Sequence, residues 1–254
     1  MQIFCYLFAV GGISLWMIEL DDRLLLREYV ERGSEEAFAT LVSRHLNKVY
    51  SVALRHTGNA DQAQEVTQAV FIILAKKSSQ LGKKVVLSGW LYKTARLTAL
   101  TLVRSEIRRA RREEEAQVQN SLNESEQDLW CQIAPLLDSA LDGLHELDRL
   151  AIVLRFFDGK SMKEVGMALG TDEDAAKMRV NRAVDRLRGF FMKRGVALSA
   201  AALVTVITAN SVQAAPVALA KAATAAAITK GTAANASTPT LAQAVLKLMA
   251  WSTA

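Results

Sequence analysis

The chain has 254 residues, a formal net charge of +5, three prolines, 13 glycines and two cysteines. That length suits one or two domains, and scarce Pro and Gly beside plentiful Ala, Leu, Glu, Arg and Lys favour helices over a turn-dense β architecture. Cys5 and Cys131 are too few for a disulfide framework and lie in no metal-spaced cluster, and His45, His56 and His145 are scattered. No metal or cofactor is therefore expected, and a reducing compartment fits.

Residues 1–18 (MQIFCYLFAVGGISLWMI) carry no charge. A secretory signal needs a basic leading stretch and a small-residue cleavage site, and neither is evident. Two readings stay open: a hydrophobic N-terminal tail, or translation that starts at Met17 and not at Met1.

From residue 19 to 112 the pattern is helical. Leu24, Leu25, Tyr29, Phe38, Leu41, Val42, Val49, Tyr50 and Leu54 recur at steps of three and four. Gly33-Ser34 separates the first two helices, with Ser34 placed as an N-cap. After Gly58, Asn59 followed by Gln62 resembles a capping box opening a helix through Ala75. A loop around residues 78–88 leads to a long helix starting near Gly89-Trp90. That helix, GWLYKTARLTALTLVRSEIRRARRE, mixes Trp90 and Tyr92 with Lys93, Arg96, Arg104, Arg108, Arg109, Arg111 and Arg112. Rings beside cations suit single-stranded DNA, where bases stack and phosphates pair with the basic groups. Packing in the core is the alternative for Trp90.

Residues 113–134 lose apolar periodicity and read as a flexible, partly helical linker. Pro135 suits the start of a helix, and a second periodic domain covers 135–192. Its clearest local signal is SMKEVGMALGTDEDAAKMRVNRAVDRLRGFF, residues 161–191. Ser161 and Glu164 are spaced as a capping box, Gly170 permits a tight turn, and Thr171 is the expected cap of the next helix. Val165, Leu169, Ala176, Val180, Ala183 and Leu187 can form the seam of a helix-turn-helix. Lys177, Arg179, Arg182, Arg186 and Arg188 are left for the outside, where such a helix meets base edges and phosphates in the major groove. A plain helical hairpin with solvated basic residues is the bland alternative.

Residues 193–254 are rich in Ala and Thr, and between Arg194 and Lys221 they carry no charge. The stretch 195–217 is long enough for a weakly hydrophobic membrane span, and Lys193 and Arg194 would keep the DNA-binding part in the cytoplasm. A disordered or partner-binding extension with a helix around 241–251 is the other reading.

Taken together, the elements resemble the extracytoplasmic-function (ECF) sigma factors over about residues 21–192. DDRLLLREYVERGSEEAFATLVSRHLNKVYSVALRHTGN looks like their opening helices. DQAQEVTQAVFIILAKK resembles the segment that docks on the β′ clamp of core RNA polymerase. GWLYKTARLTALTLVRSEIRR is similar to the helix that melts and reads the −10 promoter element, and the helix-turn-helix is similar to their −35 reader.

The resemblance implies an all-α fold of two helical domains and a non-enzymatic factor that directs core RNA polymerase to promoter DNA. It places Asp61, Gln64, Glu65 and Gln68 on the polymerase side, and Trp90, Lys93, Arg96, Arg104, Arg108 and Arg109 at the −10 element. Lys177, Arg179 and Arg182 fall at the −35 element. An anti-sigma factor, and a membrane reached through the extension, are the further partners it admits. The chain departs from the family pattern where Gln64, Thr67 and Gln68 dilute the usual carboxylates. Leu97 and Leu100 stand near positions of a common Asn and Asp, and Ala175 and Met178 replace small hydroxyl residues.

An autonomous helix-turn-helix regulator is the competing function, but it leaves the basic-aromatic helix unexplained. An enzyme acting on nucleic acid finds no phosphate-cradling Gly loop or Cys/His cluster, and Glu113–Glu115 sit in a linker-like charge run.

Overall fold

In the computed structural model, the described residues are 22–82, 85–113, 126–230 and 237–251. They form eleven α-helices and no strand. The N-terminal segment 1–18 and most of the expected linker lie outside the described residues.

The first domain is built from α1 (Asp22–Arg32), α2 (Glu35–Thr57), α3 (Ala60–Lys77) and α4 (Leu87–Glu113). Ser34 caps α2 by accepting from the Ala37 N–H, and Gly58 ends it with φ 63°, a left-handed conformation costly for residues with a Cβ. Asn59 caps α3, its side chain accepting from the Asp61 and Gln62 N–H groups. α4 begins at Leu87, two residues earlier than expected, because Leu87 and Ser88 are themselves buried. Phe38, Leu41, Val42, Val49 and Val52 of α2 interlock with Val66, Val70, Phe71 and Leu74 of α3 and with Leu91, Ala95 and Ala99 of α4. Leu24, counted in the apolar pattern, is exposed.

The second domain comprises α5 (Glu126–Asp142), α6 (Glu146–Ile152), a π-helical turn at Val153–Phe157, α7 (Met162–Leu169) and α8 (Glu173–Met192). α5 starts nine residues before Pro135, which sits inside the helix and not at its head. The upstream turns hold because Ile133 is fully buried and Trp130 packs against the core. Ser161 and Glu164 make the expected capping box, and Gly170 turns the chain at φ 70°. The cap of α8 is Asp172 and not Thr171: its carboxylate accepts from the Ala175 N–H at 2.7 Å. A carboxylate also suits the positive end of a helix better than a hydroxyl. Val165, Ala176, Val180, Ala183 and Leu187 form the buried seam, with Leu169 half-buried.

The C-terminal extension corrects one expectation. Residues 195–217 form no span: α9 (Ala200–Asn210) has 11 residues and stops at Ser211, before α10 (Val217–Ile228) and α11 (Ser237–Trp251). Among the described residues no helix is long and apolar enough to cross a membrane. At about 1.5 Å per residue, α9 covers roughly half of a hydrocarbon core. Leu203 and Ile207 of α9, Leu219 and Ala223 of α10, and Leu241 and Val245 of α11 are buried in the protein instead.

The extension runs back over the first domain. α9 packs on α8 and α5, α10 packs on α2 and α3, and α11 packs on α3 and α4. Its path is pinned to α2: Ser51 Oγ accepts from the Gln213 N–H at 2.6 Å, Asn47 Oδ1 from the Ala215 N–H at 3.0 Å, and Arg55 donates to the Ser211 carbonyl at 2.9 Å.

Candidate functional site

The two domains meet along α4, and two buried polar clusters fix them there. In the first, Lys48 of α2 is 3% exposed. It donates to Asp158 Oδ1 at 2.6 Å, to Ser88 Oγ at 2.6 Å and to His45 Nδ1 at 3.1 Å. Ser88 also donates to Asp158. An ammonium has only donors, so His45 Nδ1 must accept, and Nε2 carries the proton toward Asp22 Oδ2 at 2.7 Å. His45 is thus the neutral imidazole. Burial and the nearby Lys48 charge push its pKa down, outweighing Asp22 and Asp158. Burial alone would raise Asp22, yet His45 and Arg44 bring its carboxyl down to about 2. The π turn carries Asp158 to this cluster, with the Asp158 N–H bonded to the Val153 carbonyl.

In the second cluster, Asp138 of α5 accepts from Arg55 Nε at 3.0 Å and from the Tyr92 hydroxyl at 2.6 Å. Burial opposes ionisation of Asp138, but the Arg55 guanidinium wins and its pKa falls. Burial and the Asp138 charge push the Tyr92 phenol well above its usual value. Arg55 also lies over the Phe157 ring, 5.2 Å from its centroid.

Of the candidate −10 residues, Trp90, Lys93 and Arg96 lie on the part of α4 that meets the second domain. Trp90 is half-buried and packs against the core, in line with its structural alternative. Lys93 is bonded to Glu146 at the head of α6. This bond, and then the Lys93 charge, holds the Glu146 carboxyl below its usual range. Arg96 pairs with Asp142 at 2.5 Å, and Arg149 approaches the same carboxylate at 3.6 Å. Two cations of α4 are therefore ion-paired with carboxylates of the second domain, Lys93 while still half-exposed. Gly89 gives the close approach: a Cβ there would lie 2.6 Å from Leu150 Cδ1. Arg104 is exposed, whereas Arg108 and Arg109 are on the last turns of α4, beyond the described side chains.

On α8, Lys177 and Arg182 are exposed. Met178 and Asn181 are exposed beside them: Asn181 lies four positions from Lys177 and three from Met178, and Arg182 four from Met178, the spacings at which helix side chains adjoin. Asn181 is a non-basic candidate on this face that charge alone does not single out. Its spacing of four from Lys177 is the signal, and an amide can pair with adenine in two places. Arg179 turns inward to Asp148 Oδ1 at 2.9 Å, and Arg186 reaches Asp148 Oδ2 at 2.6 Å. Asp148 is 5% exposed, so this pair ties α6 to α8.

On α3, Asp61 is exposed, while Gln64, Glu65 and Gln68 are half-buried. Asp61, Glu65 and Gln68 share one helical face, and Gln64 lies at its margin. That face continues into Ile72 and Ala75, which are buried.

The geometry accords with the comparisons. The family model for Sigma-70 region 2 matches residues 41–112, and that for Sigma-70, region 4 matches 140–189. The ECF RNA polymerase sigma factor SigE of Mycolicibacterium smegmatis is 28% identical over 170 residues, 64% of this chain and 65% of SigE. SigW of Bacillus subtilis is 24% identical over 172 residues, 63% of this chain and 91% of SigW. The RNA polymerase sigma factor CarQ of Myxococcus xanthus is 29% identical over 160 residues, 61% of this chain and 90% of CarQ. With regions 2 and 4 present in the family's order on an all-helical frame, the chain belongs to the RNA polymerase sigma factors, of the ECF type.

Proposed function

We propose that this sigma factor directs transcription initiation by dividing promoter recognition between α4 and α8 while α3 holds core polymerase. Residues 19–112 and 135–192 are the two working units, joined by 113–134. α4 offers Lys93, Arg96, Arg104, Arg108 and Arg109 to the −10 strand, with Trp90 at the helix head, and α8 offers Lys177 and Arg182 to the −35 duplex. Asp61, Gln64, Glu65 and Gln68 of α3 are the docking residues for the β′ clamp. The single observation that carries the division is the exposed Lys177–Met178–Asn181–Arg182 face of α8 on a capped helix-turn-helix. Phosphate contacts supply most of the affinity, and few side chains read bases.

Arg179 takes part through Asp148, by setting the angle of α8 against α6, and only secondarily through DNA. In this arrangement Lys93 and Arg96 are paired with Glu146 and Asp142, so the second domain moves away from α4 before −10 bases are captured.

The test is run-off transcription from a fragmented genomic library by core polymerase plus the full chain. Start sites sharing a −10 and a −35 sequence are expected. Tight binding to duplex DNA by the chain alone, with no core association, would favour an autonomous regulator.

A further inference from the structure

We propose that the C-terminal helices α10 and α11 are a built-in competitor for the surface of α3 that takes the polymerase. The proposal rests on the reading of α3 as the docking helix. α3 is enclosed by four helices: α2 and α4, which pack on each other, and α10 and α11, which pack on α2 and α4 respectively as well as on α3. Seven consecutive residues of α3, Ala69 to Ala75, are buried, which one side of covering helices cannot achieve at 100° per residue. Ala63, Val70 and Leu74 point one way. Asp61, Glu65, Gln68 and Ile72 point the other, and Ile72 is 0% exposed. The extension is what covers this second face.

The cover is built to be displaced. α10 buries Leu219, Ala223, Ala226 and Ala227, a seam of mostly methyl groups, and burial free energy scales with apolar area. A groove of about 480 Å³ remains between α2 and α10, lined in part by Glu35, Ala39, Lys221 and Thr224. Glu65 Oε1 is buried with no hydrogen-bond partner among the described residues. An unmet buried acceptor costs free energy, and a partner that brings donors to α3 relieves that cost where α10 and α11 do not. Residues 195–254 contain Lys221, Lys230 and Lys247 and no acidic residue, so the extension brings no negative charge against Asp61 and Glu65. The extension also lies beyond the region 4 match, which ends at residue 189.

The experiment compares the full chain with Ala223→Arg and Ala227→Arg, each placing a guanidinium in the α10 seam. Binding to core polymerase is read by fluorescence anisotropy, and folding by circular dichroism. Apparent affinity falls by the fraction of chains that are closed, so about tenfold tighter core binding is expected if roughly a tenth of chains are open. Folded variants that bind core no tighter than the parent overturn the proposal. If arginine unfolds the chain, hydrogen exchange on the parent decides. Amides of α10 and α11 should lose protection on adding core polymerase while those of α7 and α8 keep theirs, and unchanged protection with core bound overturns the proposal. Failure of parent and variants alike to bind core overturns the docking role of α3 itself, and the competitor with it.

Discussion

Lys48 and Asp158, 110 residues apart, meet at 2.6 Å in a nearly dry contact that joins α2 of the first domain to the π turn of the second. Lys48 is 3% exposed, so its charge is compensated by Asp158 and its remaining donors by Ser88 and His45. Asp158 is therefore one of the two buried carboxylates, with Asp138, that hold the second domain against the first.

Removing one partner leaves the other charge buried. Asp158→Ala should destabilise the chain by about 3–5 kcal/mol, read as a shift in the urea midpoint. Lys48→Met together with Asp158→Leu should cost much less than the sum of the single changes, because two desolvated charges are then removed together. An additive double variant would mean that the pair is not energetically coupled.

The outward face of α8 should behave differently from its inward arginine. Lys177→Ala and Arg182→Ala, assayed with core polymerase, should weaken −35-dependent promoter binding and each lower the salt slope by about one. Their thermal midpoints should stay near that of the parent. Arg179→Ala should lower the midpoint, since Asp148 is 5% exposed and loses one of its two arginines.

Gly166 is a steric requirement of the helix-turn-helix. A Cβ there would lie 2.8 Å from the Asp172 carbonyl oxygen and 2.9 Å from that of Thr171, both backbone atoms. Gly166→Ala should therefore cost about 1–3 kcal/mol, typical of forced overpacking, and should reduce −35 binding as α7 and α8 separate. Calorimetry checks the first effect and promoter binding with core polymerase the second.

Acid should loosen the chain through His45. Its folded pKa lies below the ordinary 6.5, because burial and Lys48 disfavour the charged ring. The unfolded chain then takes the proton first, so the stability contribution is complete above pH 6.5 and is lost as pH falls below it. His56 shifts the same way, mainly through burial. Asp22, held at about 2, adds its own loss only between its ordinary 3.8 and that value. Thermal midpoints should be level between about pH 8 and 7 and decline toward pH 5.5. His45→Gln, which keeps a donor for Asp22, should flatten the decline; an unchanged slope would assign it to other groups.

Local chemistry was open to reading residue by residue. The caps at Ser34, Asn59 and Ser161, the turn at Gly170 and the buried seam of α7 and α8 each depend on atoms a few positions apart. Thr171 shows where such reading slips: the helix starts one residue later, which puts Asp172 at the N-cap, where its carboxylate accepts from the Ala175 N–H and brings a full charge. Pro135 shows another limit, because packing of Ile133 and Trp130 extends α5 upstream of a residue that favours a helix start.

What the sequence alone determined, then, is the all-α class, the order of the two helical domains and the identity of the basic helices, carried by periodicity, capping and charge; the promoter roles of those helices came from the family resemblance. Only the tertiary structure decided which of those cations are available. Lys93 and Arg96 are paired with Glu146 and Asp142, Arg179 is bound to Asp148, and α3 lies beneath α10 and α11. It also turned the apolar stretch 195–217 from a candidate span into one short helix and a non-helical segment packed on the protein itself. The physical reason is that burial and ion pairing join residues distant in the chain, and only the three-dimensional packing determines which residues meet.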